Sequence, residues 1–188
     1  NKHLFLDAAK AAGSLGSIVV EKTDSIPEIE IDCGSKFRCD AHPFFHSADM
    51  KKIEFQKCLI VVVDGAIIEV SEVHHLLTYC YENAVPCILL ATSFSDDVAN
   101  TLRVNWEKKL VSVLPLILDK ELENINQTRD LCQVANVLPV SKDTGMLISN
   151  MAFEECGLND VTYLLEISQL SISTTSANFQ SVKMLREN

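Results

Sequence analysis

A short segment in the first third of the chain has the residue types of a metal site. Cys39, His42 and His46 follow a CxxHxxxH spacing, and Cys33 lies upstream of them. Thiolate and imidazole are ligands that Zn²⁺ prefers. Zinc knuckles usually add a second close cysteine pair, however, and the intervening Pro-Phe-Phe sequence suits a segment that presents aromatic side chains. The sequence therefore favours surface histidines with half-buried cysteines over a structural metal.

Asp64 and Thr92 form the second candidate set, because each follows an apolar run that is typical of a buried strand. Ligands of α/β proteins bind outside the carboxyl ends of such strands. A phosphoacceptor or metal-dependent enzyme centred on Asp64 would also need an acidic pair on an earlier strand to bind magnesium, and the segment IEIDCGSKF is not placed for it. We expect Asp64-Gly65 to be a turn, and we keep the enzyme as the alternative function.

Other catalytic patterns do not occur in the sequence. It contains no GxGxxG, Walker A, GxSxG or HExxH motif. His74 and His75 are neighbours on a predicted helix, and side chains about 100° apart on a helix cannot share one metal. We therefore predict no catalytic, cofactor-binding or metal-binding residues, and we predict that this chain is not an enzyme.

The elements that would position these residues are clearest between Lys57 and Ala91. Five consecutive apolar residues, Leu59 to Val63, have the pattern of a strand buried on both faces. A helix is predicted from Val70, ended by Asn83 and Pro86. Its predicted inward stripe is Val73, Leu77, Cys80 and Ala84. The run PCILLAT then repeats the buried-strand pattern, so the three elements predict the βαβ unit of a parallel sheet.

A second crossover helix is predicted after this unit. Ser95 is a helix N-cap followed by two acids in the first turn, where the helix dipole favours them. The helix runs to about Lys108-Lys109. Its predicted inward stripe is Val98, Leu102, Trp106 and Leu110.

The remaining segments predict further elements on both sides of this core. Upstream, we predict the tail of a helix over Leu4 to Ala12, a strand at SIVVEKT and a strand at EIEIDCGSKFR with Ile29 and Ile31 inward. Downstream, we predict a strand at LVSVLPLIL with Pro115 at an edge or a bulge, a helix from about Leu122 to Ala135, a brief LPVS strand, a helix from Gly145 to Glu155, an antiparallel pair formed by VTYLLEIS and LSISTT, and the start of a helix at NFQSVKMLREN.

Composition narrows the classes of partner and compartment. The 188 residues carry a net charge of -10, and scattered basic residues argue against nucleic-acid binding. No apolar run approaches the ~20 residues of a membrane span, and the first residues do not resemble a signal peptide. Seven cysteines without a CxxC pair suit a reduced compartment. We expect a cytoplasmic protein, with an organelle matrix or the cytoplasm of a phage-infected host as alternatives.

Several strings, in their order and spacing, resemble one family: the apical domain of group I chaperonins, the GroEL class. KFRCDAHPFF is similar to its aromatic segment, and GSLGSIVVEKTDS to its entry strand. From IVVVDGAIIEV through ILLATSFSDDVANTLRVN to LVSVL the match needs no gaps. DLCQVANVLPVS and VSKDTGMLISNMAFEECG resemble the later passages of the family.

The chain also departs from the family. ILDKELEN stands where a Pro-Gly-Phe-Gly segment with a basic pair is usual, and Asn136-Val137 replaces a glycine pair. The equatorial ATP-binding motifs, such as Gly-Asp-Gly-Thr-Thr, are not in the sequence. The resemblance implies a stub of the intermediate domain at 1–13, an apical polypeptide-binding domain at 14–175 and the start of a returning helix at 176–188. It implies an α/β fold with a mostly parallel central sheet, flanking helices and an additional antiparallel β layer, the swivelling β/β/α type.

In that family, non-native polypeptides and the mobile loop of the co-chaperonin bind a groove between the two crossover helices, near the aromatic segment. Carried over by position, the groove residues are Phe44, Phe45, Ser71, His74, Leu77, Thr78, Tyr81, Ala99, Asn100, Arg103, Val104 and Glu107. His74 and Arg103 stand where the family is aliphatic, which reduces the apolar area for capture. Periodicity alone would make these residues an ordinary solvated helix face.

The resemblance also implies partners and cofactors. The partners would be unfolded polypeptides and a co-chaperonin, with no nucleic acid and no membrane. The full-length parent would form a homo-oligomeric ring and use ATP and Mg in its equatorial domain. The present chain would have no cofactor of its own and would be a monomer.

Overall fold

The computed structural model describes residues 6–7, 35–45, 52–118, 122–141, 145–165 and 168–173. Its strands are β1 Ser35–Arg38, β2 Asp40–Ala41, β3 Lys52–Val62, β4 Ala66–Ile67, β5 Cys87–Ala91, β6 Ser93–Phe94, β7 Val113–Ile117, β8 Leu158–Leu164 and β9 Gln169–Ser173. Its α-helices are α1 Val70–Asn83, α2 Asp96–Glu107 and α3 Leu122–Ala135, and its 3-10 helices are η1 Pro43–Phe45, η2 Ile148–Asn150 and η3 Phe153–Glu155.

One mixed sheet forms the centre of the α/β fold. Among the described residues, its strands follow the order β1-β9-β8-β3-β5-β7-β2, and a separate parallel pair is formed by β4 and β6. The strands β3, β5 and β7 are parallel, as predicted, whereas the outer pairings are antiparallel. The predicted additional antiparallel layer is wrong for the described residues. The antiparallel strands extend the same sheet, because β8 pairs directly with β3.

The predicted βαβ unit is confirmed. Residues 59–62 of β3 have no exposed surface, and they pair in parallel with β5 from Leu59↔Cys87 to Val62↔Leu90. The strand begins earlier than predicted, at Lys52. Its first half alternates between a buried Ile53 and exposed neighbours, which is the pattern of a strand with one wet face.

The helix α1 begins and ends where the sequence predicts. A capping box between Glu69 and Glu72 closes its first turn, and Ala84 in the left-handed region (φ 52°) ends it before Pro86. The buried stripe is Val73, Leu76 and Cys80. The predicted stripe is therefore wrong at two positions: Leu77 is half-buried on the flank, and Ala84 is exposed.

The helix α2 confirms the predicted cap. Ser95 Oγ accepts a hydrogen bond from the Val98 N–H at 3.4 Å and donates one to the Ile68 carbonyl at 2.6 Å. Val98 and Leu102 are buried as predicted. Leu110 is 50% exposed, contrary to prediction, because the helix ends at Glu107 before it can turn this residue inward.

Downstream of α2, some predicted elements are confirmed and others are shorter than predicted. The helix α3 and the antiparallel pairing of β8 with β9 are confirmed. Pro115 lies on β7, and in the part of the chain that the structure describes this strand is followed in the sheet by the two-residue strand β2 alone. The predicted LPVS strand is reduced to one parallel bridge, Val63↔Val140.

The predicted helix from Gly145 to Glu155 is wrong. The segment forms the 3-10 helices η2 and η3, whose buried anchors are Ile148 and Phe153. Residues five positions apart point about 140° away from each other on an α-helix. A continuous helix could not bury both anchors, whereas two short turns do.

Several predictions lie outside the described residues. They concern the strands upstream of Ser35 with Ile29 and Ile31, the ligand candidates Cys33 and His46, and the segment after Ser173. Of the predicted first helix, Leu6 and Asp7 are described and are helical. The domain ends at 1–13 and 176–188 stay predictions.

Candidate functional site

The helices α1 and α2 lie side by side on one face of the sheet. They are the crossover connections of β3-β5 and β5-β7, and successive right-handed crossovers in one direction put their helices on the same face. The two helices contact each other along this face. Their solvent side is where the sequence predicts the groove.

On α1, the predicted groove residues lie on the surface. Ser71, His74, Thr78 and Tyr81 are exposed, and Leu77 is half-buried. Tyr81 is 62% exposed, unusually so for a large aromatic side chain. The helix thus offers one apolar contact at Leu77 with polar neighbours.

On α2, the predicted groove residues differ in exposure. Asn100 and Glu107 are exposed, and Arg103 and Val104 are half-buried. Ala99 is fully buried, so the prediction that it lines a groove is wrong. Its side chain points to the same side as Leu102, into the sheet.

The two adjacent phenylalanines of η1 have different environments. Phe44 is 43% exposed, as a surface site requires. Phe45 is buried, and its ring centroid lies 5.8 Å from that of Trp106 in an edge-to-face arrangement. Phe45 is therefore an anchor that fixes η1 to α2 and is not part of an accessible surface.

The contacts of η1 show which flank of α2 faces it. Arg103 Cζ lies 6.0 Å from the Phe44 ring centroid, and Trp106 contacts Phe45. Thr101 and Asn105 are each two residues from Arg103, so their side chains point to nearly the opposite flank, toward α1. Both are half-buried, and both bond to backbone carbonyls of their own helix at 2.8 Å.

The helix α1 is held in the same way from its outer flank. The Phe153 ring of η3 lies 5.1 Å from His75 and 5.2 Å from Tyr79 between ring centroids. Burial, together with the nearby Glu154 carboxylate, raises the pKa of Tyr79. Leu77 is two residues from both His75 and Tyr79, and it therefore points toward α2.

By these contacts and helical positions, the predicted site residues are distributed over two surfaces. The first, which we call the valley, lies between α1 and α2 and includes His74, Leu77, Tyr81 and Val104. The second, which we call the Phe44 surface, lies between α2 and η1 and includes Phe44 and Arg103. Sequence reasoning missed Thr101, Asn105 and Trp106 as residues of these surfaces. Their helical positions relative to Arg103 were the available signal.

Asp64 and Thr92 lie together at the carboxyl edge of the sheet, as the alternative function requires. The Asp64 N–H donates to the Val140 carbonyl at 2.8 Å, and the Thr92 N–H donates to the Gly65 carbonyl at 3.0 Å. The Asp64 side chain is exposed. Burial and the Asp64 carboxylate raise the pKa of Cys132 to about 11. The Thr92 hydroxyl oxygen is buried and has no hydrogen-bond partner among the described residues.

The cysteine–histidine candidate is built around a neutral thiol. Burial, and then the Asp40 carboxylate, raises the pKa of Cys39 to about 12. His42 is buried, its Nδ1 accepts from the Phe44 N–H at 3.4 Å, and its ring lies edge-on to Phe44 and Phe94. Across the described ranges, no three His, Cys, Asp or Glu side chains are grouped so that they could hold a metal ion.

A comparison with models of known protein families finds no match, and a comparison with curated proteins finds no significantly similar sequence. Among the described helices, none combines the length and the apolar character needed to cross a membrane.

Proposed function

We propose that this chain is a polypeptide-binding domain of the chaperonin apical type, which captures non-native segments in the valley between α1 and α2. One observation carries the proposal. Each helix is held from its outer flank, α1 by Phe153 and α2 by Phe45. The inner flanks are left to form a surface where Leu77 and Val104 are half-buried and Tyr81 is exposed.

The valley is suited to short segments with few apolar side chains. Each Leu-sized side chain that becomes buried contributes roughly 1.5–3 kcal/mol. Thr101 and Asn105 bond to their own helix, so a bound segment need not satisfy their polar groups. Rigid support of both helices reduces the ordering cost of binding.

The resemblance to the chaperonin family adds the wider context of the proposal. The same valley would receive the mobile loop of a co-chaperonin, and the full-length parent would form an ATP-driven ring. The present chain would supply polypeptide capture. The nucleotide chemistry would belong to the equatorial domain of the parent.

The test is binding of a permanently unfolded client, such as a reduced and carboxymethylated protein, measured by fluorescence anisotropy. Leu77→Ser should weaken binding about tenfold, because it removes most of the burial energy of one leucine. Leu110→Ser is the matched control, since Leu110 is half-exposed beyond the end of α2. Equal affinity of the wild type and Leu77→Ser would contradict the proposal.

A second candidate function is a phosphoacceptor or metal-dependent enzyme centred on Asp64. The observation that favours it is the Thr92 hydroxyl, buried without a partner in the described part of the chain and close to the Asp64 turn. A magnesium titration followed by NMR distinguishes the two candidates. Amide shifts clustered at Asp64 and Thr92, and lost in Asp64→Asn, favour the enzyme. Shifts around Leu77 and Val104 on addition of an amphipathic peptide favour capture.

A further inference from the structure

The Phe44 surface is held rigidly from below. Phe45 packs on Trp106, and the Trp106 ring lies 6.0 Å from that of Phe55 on β3. The buried His42 ring supports Phe44 from the side at 5.0 Å between centroids. The exposed ring of Phe44 therefore has a fixed position, as an anchor for a ligand requires.

Arg103 is held over this ring by its own helix. Its two terminal nitrogens donate to Glu107 Oε1 at 2.8 Å and to Asn100 Oδ1 at 2.9 Å. A guanidinium has five N–H donors, and no further hydrogen bond of Arg103 is found within the part of the chain that the structure describes. The side chain is 38% exposed. Arg103 is thus oriented by two bonds and retains donors for a ligand.

Local charge favours an acidic ligand at this position. Lys108 and Lys109 follow Glu107 directly, so the second half of α2 and its end carry three cations against one acid. The first turn of α2 carries Asp96 and Asp97 instead, and the whole chain has a net charge of -10. The C-terminal end of α2 is therefore cationic in sequence on an acidic chain, and Arg103 is its cation at the Phe44 surface. A guanidinium next to an aromatic ring recognises a carboxylate and an adjacent apolar group together.

Resting on the function proposed above, we infer that Arg103 is a specificity-determining residue, which selects client segments with a Glu or Asp side chain next to an apolar one. The client carboxylate accepts hydrogen bonds from the remaining Arg103 donors. The neighbouring apolar side chain packs on the exposed face of Phe44. Glu107 and Asn100 act as positioning residues, because they hold the guanidinium in place.

The experiment uses three fluorescein-labelled 12-residue peptides of identical apolar sequence, with Glu, Gln or Lys at one central position. Anisotropy titrations with the wild type should give about tenfold tighter binding for the Glu peptide than for the Gln peptide. Arg103→Gln should remove that difference, so that this variant binds the Glu and Gln peptides with equal affinity. Arg129→Gln, an exposed arginine on α3, is the matched control and should keep the preference. The preference should also shrink between low and high salt.

The outcomes separate this inference from the proposed function. Equal binding of the three peptides, with Leu77→Ser weakening all of them, would overturn the role of Arg103 and leave capture in the valley intact. Tighter binding of the Lys peptide would assign recognition to Glu107 and also overturn the inference. Failure of every peptide and of the unfolded client to bind would instead contradict the proposed function. A circular dichroism melt of Arg103→Gln that matches the wild type shows that the variant is folded.

Discussion

The sheet side and the solvent side of the α1–α2 pair differ in what fixes each residue. Toward the sheet, Val73, Leu76, Val98 and Leu102 are buried, and residues 59–62 of β3 and 87–91 of β5 have no exposed surface. Toward solvent, polar side chains bond along their own helix, and Tyr81 is 62% exposed. Stability should therefore depend on the sheet side, and binding on the solvent side. The two sides can be separated by mutation.

The largest expected effect comes from truncating the sheet side. Leu76→Ala should lower the free energy of unfolding by about 3 kcal/mol, because it leaves a cavity in a close-packed core. Tyr81→Ala, on the solvent side of the same helix, should change it by less than ~0.5 kcal/mol. Urea denaturation of both variants measures the difference. Similar losses in the two would mean that Tyr81 packs in the folded state.

The second-largest expected effect is a loss of stability at high pH, caused by ionisation of the buried Cys39 thiol on unfolding. The folded pKa of Cys39 lies at about 12 against an ordinary value of 9.0, so the neutral thiol is favoured by folding. Its contribution to stability is complete below pH ~9 and is lost as pH rises toward the folded value. Between pH 8 and 10.5 the free energy of unfolding should fall by about 2 kcal/mol because of this one thiol, at 1.36 kcal/mol per unit of pKa shift.

Two variants check the assignment to Cys39. Cys39→Ala and Cys39→Val both remove the titrating group, and the second keeps most of the volume. Both should flatten the fall of unfolding free energy between pH 8 and 10.5 by about 2 kcal/mol, whatever their stability at neutral pH. An unchanged slope in both would show that the thiol does not titrate with unfolding.

A smaller loss of stability is expected from removing the N-cap of α2. Ser95→Ala removes the cap to Val98 and the bond to the Ile68 carbonyl, and should cost about 1–2 kcal/mol. The exposed Ser112 is the control, and Ser112→Ala should be nearly neutral. Thermal melts compare the pair, and equal melting temperatures would show that the cap contributes nothing.

The smallest effect concerns the solvent side alone. His74→Leu should tighten binding of the unfolded client by about 1 kcal/mol, since it adds apolar area beside Leu77. The client affinity of His74→Leu is compared with that of Thr78→Leu, which adds an apolar side chain one turn further along the exposed face of α1. Arg103→Val should not add to this gain, because Arg103 contacts Phe44 on the other flank of α2. Tightening of binding by Arg103→Val would instead mean that Arg103, like His74, limits the apolar area open to the client.

The core was predictable where consecutive residues are all apolar. The run Leu59 to Val63 is apolar throughout, so a strand buried on both faces follows whatever the exact register. The prediction failed where two adjacent residues are alike. Leu76 and Leu77 point about 100° apart on a helix, and either could continue the stripe. Phe44 and Phe45 pose the same problem, and packing against Trp106 decides it.

The candidate site was predictable to the level of the helices. Sequence position correctly put His74, Thr78 and Tyr81 on the surface of α1. It did not reveal that η1 and η3 hold the helices from outside, because Phe45–Trp106 and Tyr79–Phe153 are contacts between residues distant in sequence. For that reason the sequence alone did not assign each predicted residue to one flank of its helix.

The antiparallel pairing of β8 with β3 has a consequence for synthesis of the chain. Phe55 pairs with Val161, about a hundred residues later, whereas the parallel unit from β3 to β7 is built from nearer contacts. Long loops are costly to close before their contacts form. We expect the parallel unit to form first on the ribosome, with the open side of β3 unpaired until β8 emerges. During that interval the growing chain carries the kind of exposed strand edge that chaperones protect.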